Sequence, residues 1–148
     1  MDLGLQDRIA LVTGASSGLG WAAALELARE GCRVAICSRS EARIQAAARR
    51  IVEALGLAED RVLPLVCDVT DEAQIIRMIE QVVDRWNVLN ILVTNAGGPP
   101  AGYVGDFTAD DWRAALELNL LSTINLCRHA LPHLRRAARE PNGLARIL

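Results

Sequence analysis

Thr13-Gly14-Ala15-Ser16-Ser17-Gly18-Leu19-Gly20 is the stretch on which the fold of this 148-residue chain turns. The apolar run Ile9-Ala-Leu-Val12 stands before it and an alanine-rich, helix-forming stretch beginning at Trp21 stands after it. The order is therefore strand, glycine turn, helix, with glycines spaced G-x-x-x-G-x-G. Residues without a β-carbon let backbone approach a pyrophosphate, whose charge then sits at the positive end of a helix. A glycine turn alone is also compatible with a plain structural turn; its place at the start of a βαβ unit favours nucleotide binding. Thr13, Ser16 and Ser17 add hydroxyls suited to phosphate or ribose, and Leu19 lies between the last two glycines.

Working outward, short apolar runs alternate with longer helix-period segments along the whole chain. The runs are Ile9–Val12, Arg33–Cys37, Val62–Val66, Ile91–Thr94 and a stub at Arg146–Leu148. None alternates strictly, as expected of strands buried on both faces. Pro64 removes a ladder donor, which predicts that the third strand lies at the sheet edge. That placement fits a doubly wound, Rossmann-type α/β fold with a parallel sheet of order 3-2-1-4-5. Ser40 reads as an N-cap before the apolar face Ile44, Ala47, Ala48, Ile51, Val52 and Leu55. A second stripe runs Ile75, Ile76, Ile79, Val82, Val83 and Trp86 after Thr70-Asp71-Glu72. Thr108 and Asp111 resemble a capping box opening a long helical segment over Trp112–Leu134, which Pro132 is expected to kink or end. The loop Asn95–Gly102 is too rich in Gly and Pro for helix or strand.

Composition narrows the function classes. Hydrophobic residues make up 51% and aromatics only 3%, which suits helices packed on a sheet rather than a base-stacking platform. A net charge of -2 speaks against nucleic-acid or anionic-membrane partners. Cys32, Cys37, Cys67 and Cys127 lack Cys-x-x-Cys spacing, and the N-terminus lacks a signal pattern, so the expectation is reduced thiols in a cytoplasmic protein without a membrane span. Arg135, Arg136 and Arg139 read as cations complementing a helix C-terminus.

Further candidate residues fall at the ends of later strands. An enzyme preferring NAD places an acidic residue after its second strand, to accept hydrogen bonds from the ribose 2′-hydroxyl. Here the residues are Ser38-Arg39, a small hydroxyl and a guanidinium suited to a 2′-phosphate. NADP is therefore the preferred cofactor, with NAD possible and Arg39 as a plain solvent-facing residue the competing reading. Asp68-Val69 ends the third run, Asn95-Ala96-Gly97 follows the fourth, and Asn119 lies in the Leu-rich Glu117-Leu-Asn-Leu-Leu121. A polar amide there needs a partner or costs stability.

These motifs, in this order, resemble the short-chain dehydrogenase/reductase family, and most closely its 3-oxoacyl-carrier-protein reductase-like members. The resemblance implies hydride transfer between nicotinamide and a small-molecule carbonyl or secondary alcohol, in a homo-oligomeric complete enzyme. It implies that Asp68 holds the adenine amino group, that the Val69 amide meets the ring, and that Asn95, Ala96 and Gly97 border the nicotinamide half. It makes Asn119 the Asn of an Asn-Ser-Tyr-Lys tetrad, holding a water in the proton relay; a satisfied structural Asn is the alternative. The family's catalytic Ser and Tyr-x-x-x-Lys lie beyond the fifth strand. All 16 basic residues here are Arg, and the one tyrosine, Tyr103, has no Lys four residues on. The expectation is a single dinucleotide-binding domain over 1–148, C-terminally incomplete at its fifth strand and inactive alone. Two other classes remain: a non-catalytic nucleotide-binding fragment, and a methyltransferase, against which Ser38-Arg39 speaks.

Three features are weak signals. His129 and His133 stand four apart but lack a third ligand, so no metal is expected. Trp21 is more readily a packing residue than a cofactor platform. Cys127 has no nearby base in sequence to activate it.

Overall fold

A computed structural model describes residues 3–98 and 101–148; Pro99 and Pro100, in the expected Gly/Pro loop, lie outside the described residues. Five parallel strands form one sheet: β1 (Ile9–Val12), β2 (Arg33–Ser38), β3 (Val62–Val66), β4 (Ile91–Val93) and β5 (Arg146–Ile147). Their order is β3-β2-β1-β4-β5, as the run pattern predicted. Pro64 pairs in register with Ile36 on the outermost strand, so its missing N–H costs the sheet no inner ladder bond.

Each strand sends alternate side chains to opposite faces, and both faces are covered. On one face Ile9, Leu11, Ala35, Cys37 and Leu92 pack with Ile75, Ile79 and Val82 of helix α3 (Glu72–Trp86) and Leu126, Ala130 and Leu134 of α5 (Ser122–Ala138). On the other, Ala10, Val12, Val34 and Ile36 meet Ala24 and Ala28 of α1 (Gly18–Arg29) and Ile44, Ala47 and Ile51 of α2 (Glu41–Leu55). This double burial is why no strand alternates in sequence.

The helix ends follow their capping chemistry. The Ser40 hydroxyl accepts from the Arg43 N–H, and the Asp71 carboxylate accepts from the Gln74 N–H. Thr108 and Asp111 form a reciprocal capping box at the start of α4 (Ala109–Leu116).

The long helical segment departs from expectation. It starts at Ala109 rather than Trp112, and a π-helical turn over Glu117–Leu121 separates α4 from α5. Pro132 does not end the helix, which runs on to Ala138. The carbonyl that loses its donor belongs to Arg128, a solvent-exposed residue, while buried Ala130, Leu134 and Ala137 hold the following turns to the core. Arg135, Arg136 and Arg139 are exposed at the end of α5, consistent with the charge argument.

β5 is short but firmly placed. Arg146 N–H donates to Asn90 at 2.9 Å, Leu148 N–H to Leu92 at 2.9 Å, and Thr94 N–H to Leu148 at 2.8 Å. Buried Asn90, which the sequence did not single out, accepts from Ile9 N–H and donates to the Leu144 carbonyl, joining β1 to the approach to β5.

Candidate functional site

At the carboxyl end of β1 the chain turns through Gly14 (φ +60°) and Gly18 (φ +61°) into α1. A left-handed φ favours glycine at both positions. A β-carbon on Gly14 would lie 2.7 Å from the Asn95 amide nitrogen, and one on Gly20 would lie 2.6 Å from the Gly14 carbonyl. The close approach that requires these two glycines is thus to the protein itself. The sequence reading assigned that closeness to a pyrophosphate; for Gly14 and Gly20 the observed neighbour is Asn95. At Gly18 a β-carbon would meet nothing within 4 Å, so only its φ constrains it.

Asn95 is the fastener of the turn. Its side-chain nitrogen donates to the carbonyls of Thr13 (3.2 Å) and Gly14 (3.1 Å). Thr13 was expected to offer its hydroxyl to phosphate or ribose. Instead Thr13 is fully buried; its hydroxyl donates to the Asn95 carbonyl (2.7 Å) and accepts from the Asn95 N–H (3.0 Å). Ser17, by contrast, occupies the N-cap of α1 without a side-chain cap bond. Its hydroxyl therefore does not compete for the first-turn amides that make a helix start an anion site.

A cavity of about 270 Å³ opens at the carboxyl ends of the strands. Gly14, Ser16 and Ser17 line it from the glycine turn, and Ser38 and Arg39 from the end of β2. Asp68 and Val69 line it after β3, and Asn95, Ala96 and Gly97 after β4. Residues as far apart in sequence as Gly14 and Leu118 are thus gathered around one space, at the place where doubly wound sheets take their ligands. Gly18, Leu19 and Gly20 do not line it: Gly20 is buried against the turn and the Leu19 side chain is 84% exposed. Asn119 does not line it either, although its neighbour Leu118 does.

Asn119 sits in the π-helical turn, solvent-exposed, with its amide donating to the Ala115 carbonyl at 2.8 Å. The partner that a helical amide was expected to need is therefore local backbone. Single π turns inside α-helices are frequent at functional sites.

The cavity also contains residues the sequence reading passed over: Ser40, Arg43 and Cys67. The available signal for Arg43 was its spacing from Ser40, since an N-cap places the third residue after it on the first turn of α2. Cys67 gave no signal beyond apolar neighbours. It is buried beside Cys37, whose thiol is pushed well above the ordinary range by the hydrogen bond to Cys67 and by burial.

Charge and hydrogen bonding in the cavity are uneven. Its charged lining residues are Arg39, Arg43 and Asp68. One Asp68 oxygen accepts from both the N–H (3.0 Å) and the hydroxyl (2.8 Å) of Thr70, so Asp68 is also a turn residue. The Ser38 hydroxyl donates to the Ser40 carbonyl at 3.1 Å and so braces the bend between β2 and α2.

The weaker signals resolve into packing. Trp21 donates from its indole to the Ala47 carbonyl (3.2 Å), with the Arg50 guanidinium 4.2 Å from its ring centre, tying α1 to α2. His129 meets Glu72 at 2.6 Å, and Arg128 donates to the same carboxylate oxygen at 2.7 Å, tying α3 to α5. The Tyr103 side chain is 83% exposed and does not line the cavity. Among the described residues, no helix is long and apolar enough to cross a membrane.

Comparison with known proteins agrees with this architecture. The family model for short chain dehydrogenases matches residues 8–143. An L-fucose dehydrogenase of Bos taurus is 35% identical over 135 residues, covering 88% of this chain and 46% of that protein. A putative ketoacyl reductase of Streptomyces coelicolor is 33% identical, covering 83% of this chain and 46% of the relative. The crystal structure of L-sorbose reductase from Gluconobacter frateurii, complexed with NADPH and L-sorbose, superposes with a TM-score of 0.85 at 30% identity. That match covers 93% of this chain and 51% of the other. The chain thus spans about half the length of these relatives. It belongs to the short-chain dehydrogenase family of oxidoreductases.

Proposed function

We propose that these residues form the cofactor-binding half of an NADP-preferring oxidoreductase that transfers hydride between nicotinamide and a small-molecule carbonyl or secondary alcohol. The observation that carries this reading is the single cavity bordered by the glycine turn, Ser38-Arg39, Asp68-Val69 and Asn95-Ala96-Gly97. The names of the relatives, a sugar dehydrogenase, a ketoacyl reductase and a sorbose reductase crystallised with NADPH, support it.

The residues present fit a dinucleotide. β-carbons on Gly97 and Gly98 would meet nothing within 4 Å, so the chain after β4 leaves open space beside the cavity. When bound, the nicotinamide supplies the hydride chemistry itself. In this reading Ser16, Ser17 and the start of α1 hold the pyrophosphate, with Gly18, Leu19 and Gly20 shaping that turn. Asp68 and the Val69 amide take the adenine, Arg39 the 2′-phosphate, and Asn95, Ala96 and Gly97 flank the nicotinamide half. Asn119 orients a water from the π turn. NAD remains the secondary cofactor. The protein acts in the cytoplasm as a homo-oligomer, and exposed Leu116, Leu120, Leu121 and Ile124 offer apolar surface for assembly.

The test is direct titration of the purified chain with NADPH and NADH, followed by nicotinamide fluorescence. Saturable binding with NADPH favoured is expected. Failure to bind either would overturn the reading. A second reading, nucleotide binding without chemistry by these residues alone, is favoured by the absence of lysine and the outward position of Tyr103. NADPH-dependent turnover of L-sorbose or an acetoacetyl thioester by the purified chain would eliminate it.

A further inference from the structure

We propose that Arg43 is a second specificity-determining cation, acting with Arg39 to bind the ribose 2′-phosphate of NADP. The inference rests on the dinucleotide reading of the cavity and names a residue that reading did not use. Arg43 lies four residues beyond Arg39 and lines the same cavity, with Ser38 and Ser40 between them on its wall. Its backbone N–H is fixed by the Ser40 cap at 3.4 Å. The adjacent Ile44 is fully buried, and the Trp21 contacts pin α2 one turn further on. The guanidinium therefore projects from an anchored helix start rather than from a loose loop.

Charge placement makes this position unusual. A cation in the first turn of a helix opposes the macrodipole, which favours anions there. Arg29, Arg113 and Arg128 are each held by a carboxylate, of Glu26, Asp110 and Glu72 respectively. Among the described ion pairs neither Arg39 nor Arg43 takes part, and the one carboxylate lining the cavity, Asp68, already accepts two bonds from Thr70. The α2 end of the cavity thus combines two guanidinium groups with the positive end of a helix. A dianionic phosphate monoester answers all three, because each planar guanidinium can donate a pair of bonds to its oxygens. The glycine turn contributes only the hydroxyls of Ser16 and Ser17 here, which leaves Arg43 as the second cation within the lining.

Adenosine 2′,5′-bisphosphate and ADP separate the contributions, because both carry a 5′-phosphate group and only the former has the 2′-phosphate. Binding of each would be measured by calorimetry, alongside NADPH and NADH, to wild type, Arg43→Gln, Arg43→Lys, Arg39→Ala and the Arg39→Ala/Arg43→Gln pair. Arg43→Gln should weaken the bisphosphate and NADPH on the order of 10-fold while leaving ADP and NADH unchanged. Arg43→Lys should recover part of that loss, the pair should lose more than either single change, and the salt dependence of bisphosphate binding should become shallower in Arg43→Gln. Melting curves confirm that each variant is folded. Equal losses for ADP and the bisphosphate, or no loss for either, would overturn the role of Arg43 while leaving the dinucleotide reading in place. If wild type bound none of the four ligands, the dinucleotide reading itself would fall, and the role of Arg43 with it.

Discussion

Asn95 and Thr13, just past the carboxyl ends of the adjacent strands β4 and β1 and 82 residues apart, hold each other through backbone and side chain alike: the Thr13 hydroxyl bridges the Asn95 carbonyl and N–H, and the Asn95 amide returns to the Thr13 carbonyl. The same amide reaches the Gly14 carbonyl. The glycine turn is consequently shaped by the segment that follows β4 before any ligand arrives, which lowers the ordering cost of binding.

Breaking this clamp should be felt in stability first. Asn95→Ala leaves two carbonyls without their donor, at a cost of about 1–3 kcal/mol. Urea unfolding monitored by circular dichroism measures it. An unchanged midpoint would show that solvent replaces the amide without penalty.

Two glycines of the site should respond oppositely to alanine. In Gly20→Ala the new methyl meets the Gly14 carbonyl at 2.6 Å, an overpacking cost of roughly 1–3 kcal/mol. In Gly97→Ala the methyl enters open space, so the free protein should melt at the wild-type temperature while dinucleotide affinity falls. Thermal melts with and without NADPH distinguish the two, and equal destabilisation of the free proteins would contradict the assignment.

Arg39→Ala should weaken NADPH binding by roughly 10- to 150-fold, the value of a hydrogen bond to a charged group. NADH, lacking the 2′-phosphate, should lose far less. Parallel titrations at one ionic strength provide the comparison; equal losses would make Arg39 a shaper of the adenosine pocket only.

The acid limb of stability should report Glu72. Its carboxyl is held below the ordinary glutamate range by the hydrogen bond from His129, with the Arg128 charge adding to this. A carboxyl depressed on folding stabilises above its unfolded pKa, and that contribution is lost as pH falls through the folded value. Melting temperatures of wild type and Glu72→Gln should therefore differ at neutral pH and converge at a pH below the ordinary glutamate range. A constant gap down to that pH would show that the charge is not what ties α3 to α5.

Cys32 should resist alkylation in the native state. Burial pushes its thiol up to about 11, and its sulfur lies 3.5 Å from the Leu5 carbonyl. With iodoacetamide at mildly alkaline pH, mass mapping should find Cys32 unmodified in folded protein and modified in urea. Rapid native labelling would mean that the segment around Leu5 opens readily.

The sequence by itself determined the sheet order, the helices up to α3 and the capping box that opens α4. Those features rest on local chemistry: apolar runs for doubly buried strands, a proline that confines β3 to an edge, caps at Ser40 and Thr108, and glycines where φ turns positive. Tertiary structure alone decided which partner each group meets. Thr13 and Ser16 look alike as hydroxyls of one turn, yet Thr13 faces Asn95 in the interior and Ser16 lines the cavity. Gly14 and Gly20 are needed by the amide of Asn95, a residue beyond the end of β4, and Arg43 joins Arg39 only because α2 starts where β2 ends at the cavity wall. The π turn around Asn119 and the burial of Asn90 were likewise invisible. Periodicity records whether a residue faces core or solvent; a hydrogen bond spanning some 80 residues leaves no period, because its geometry exists only once both strands are in register.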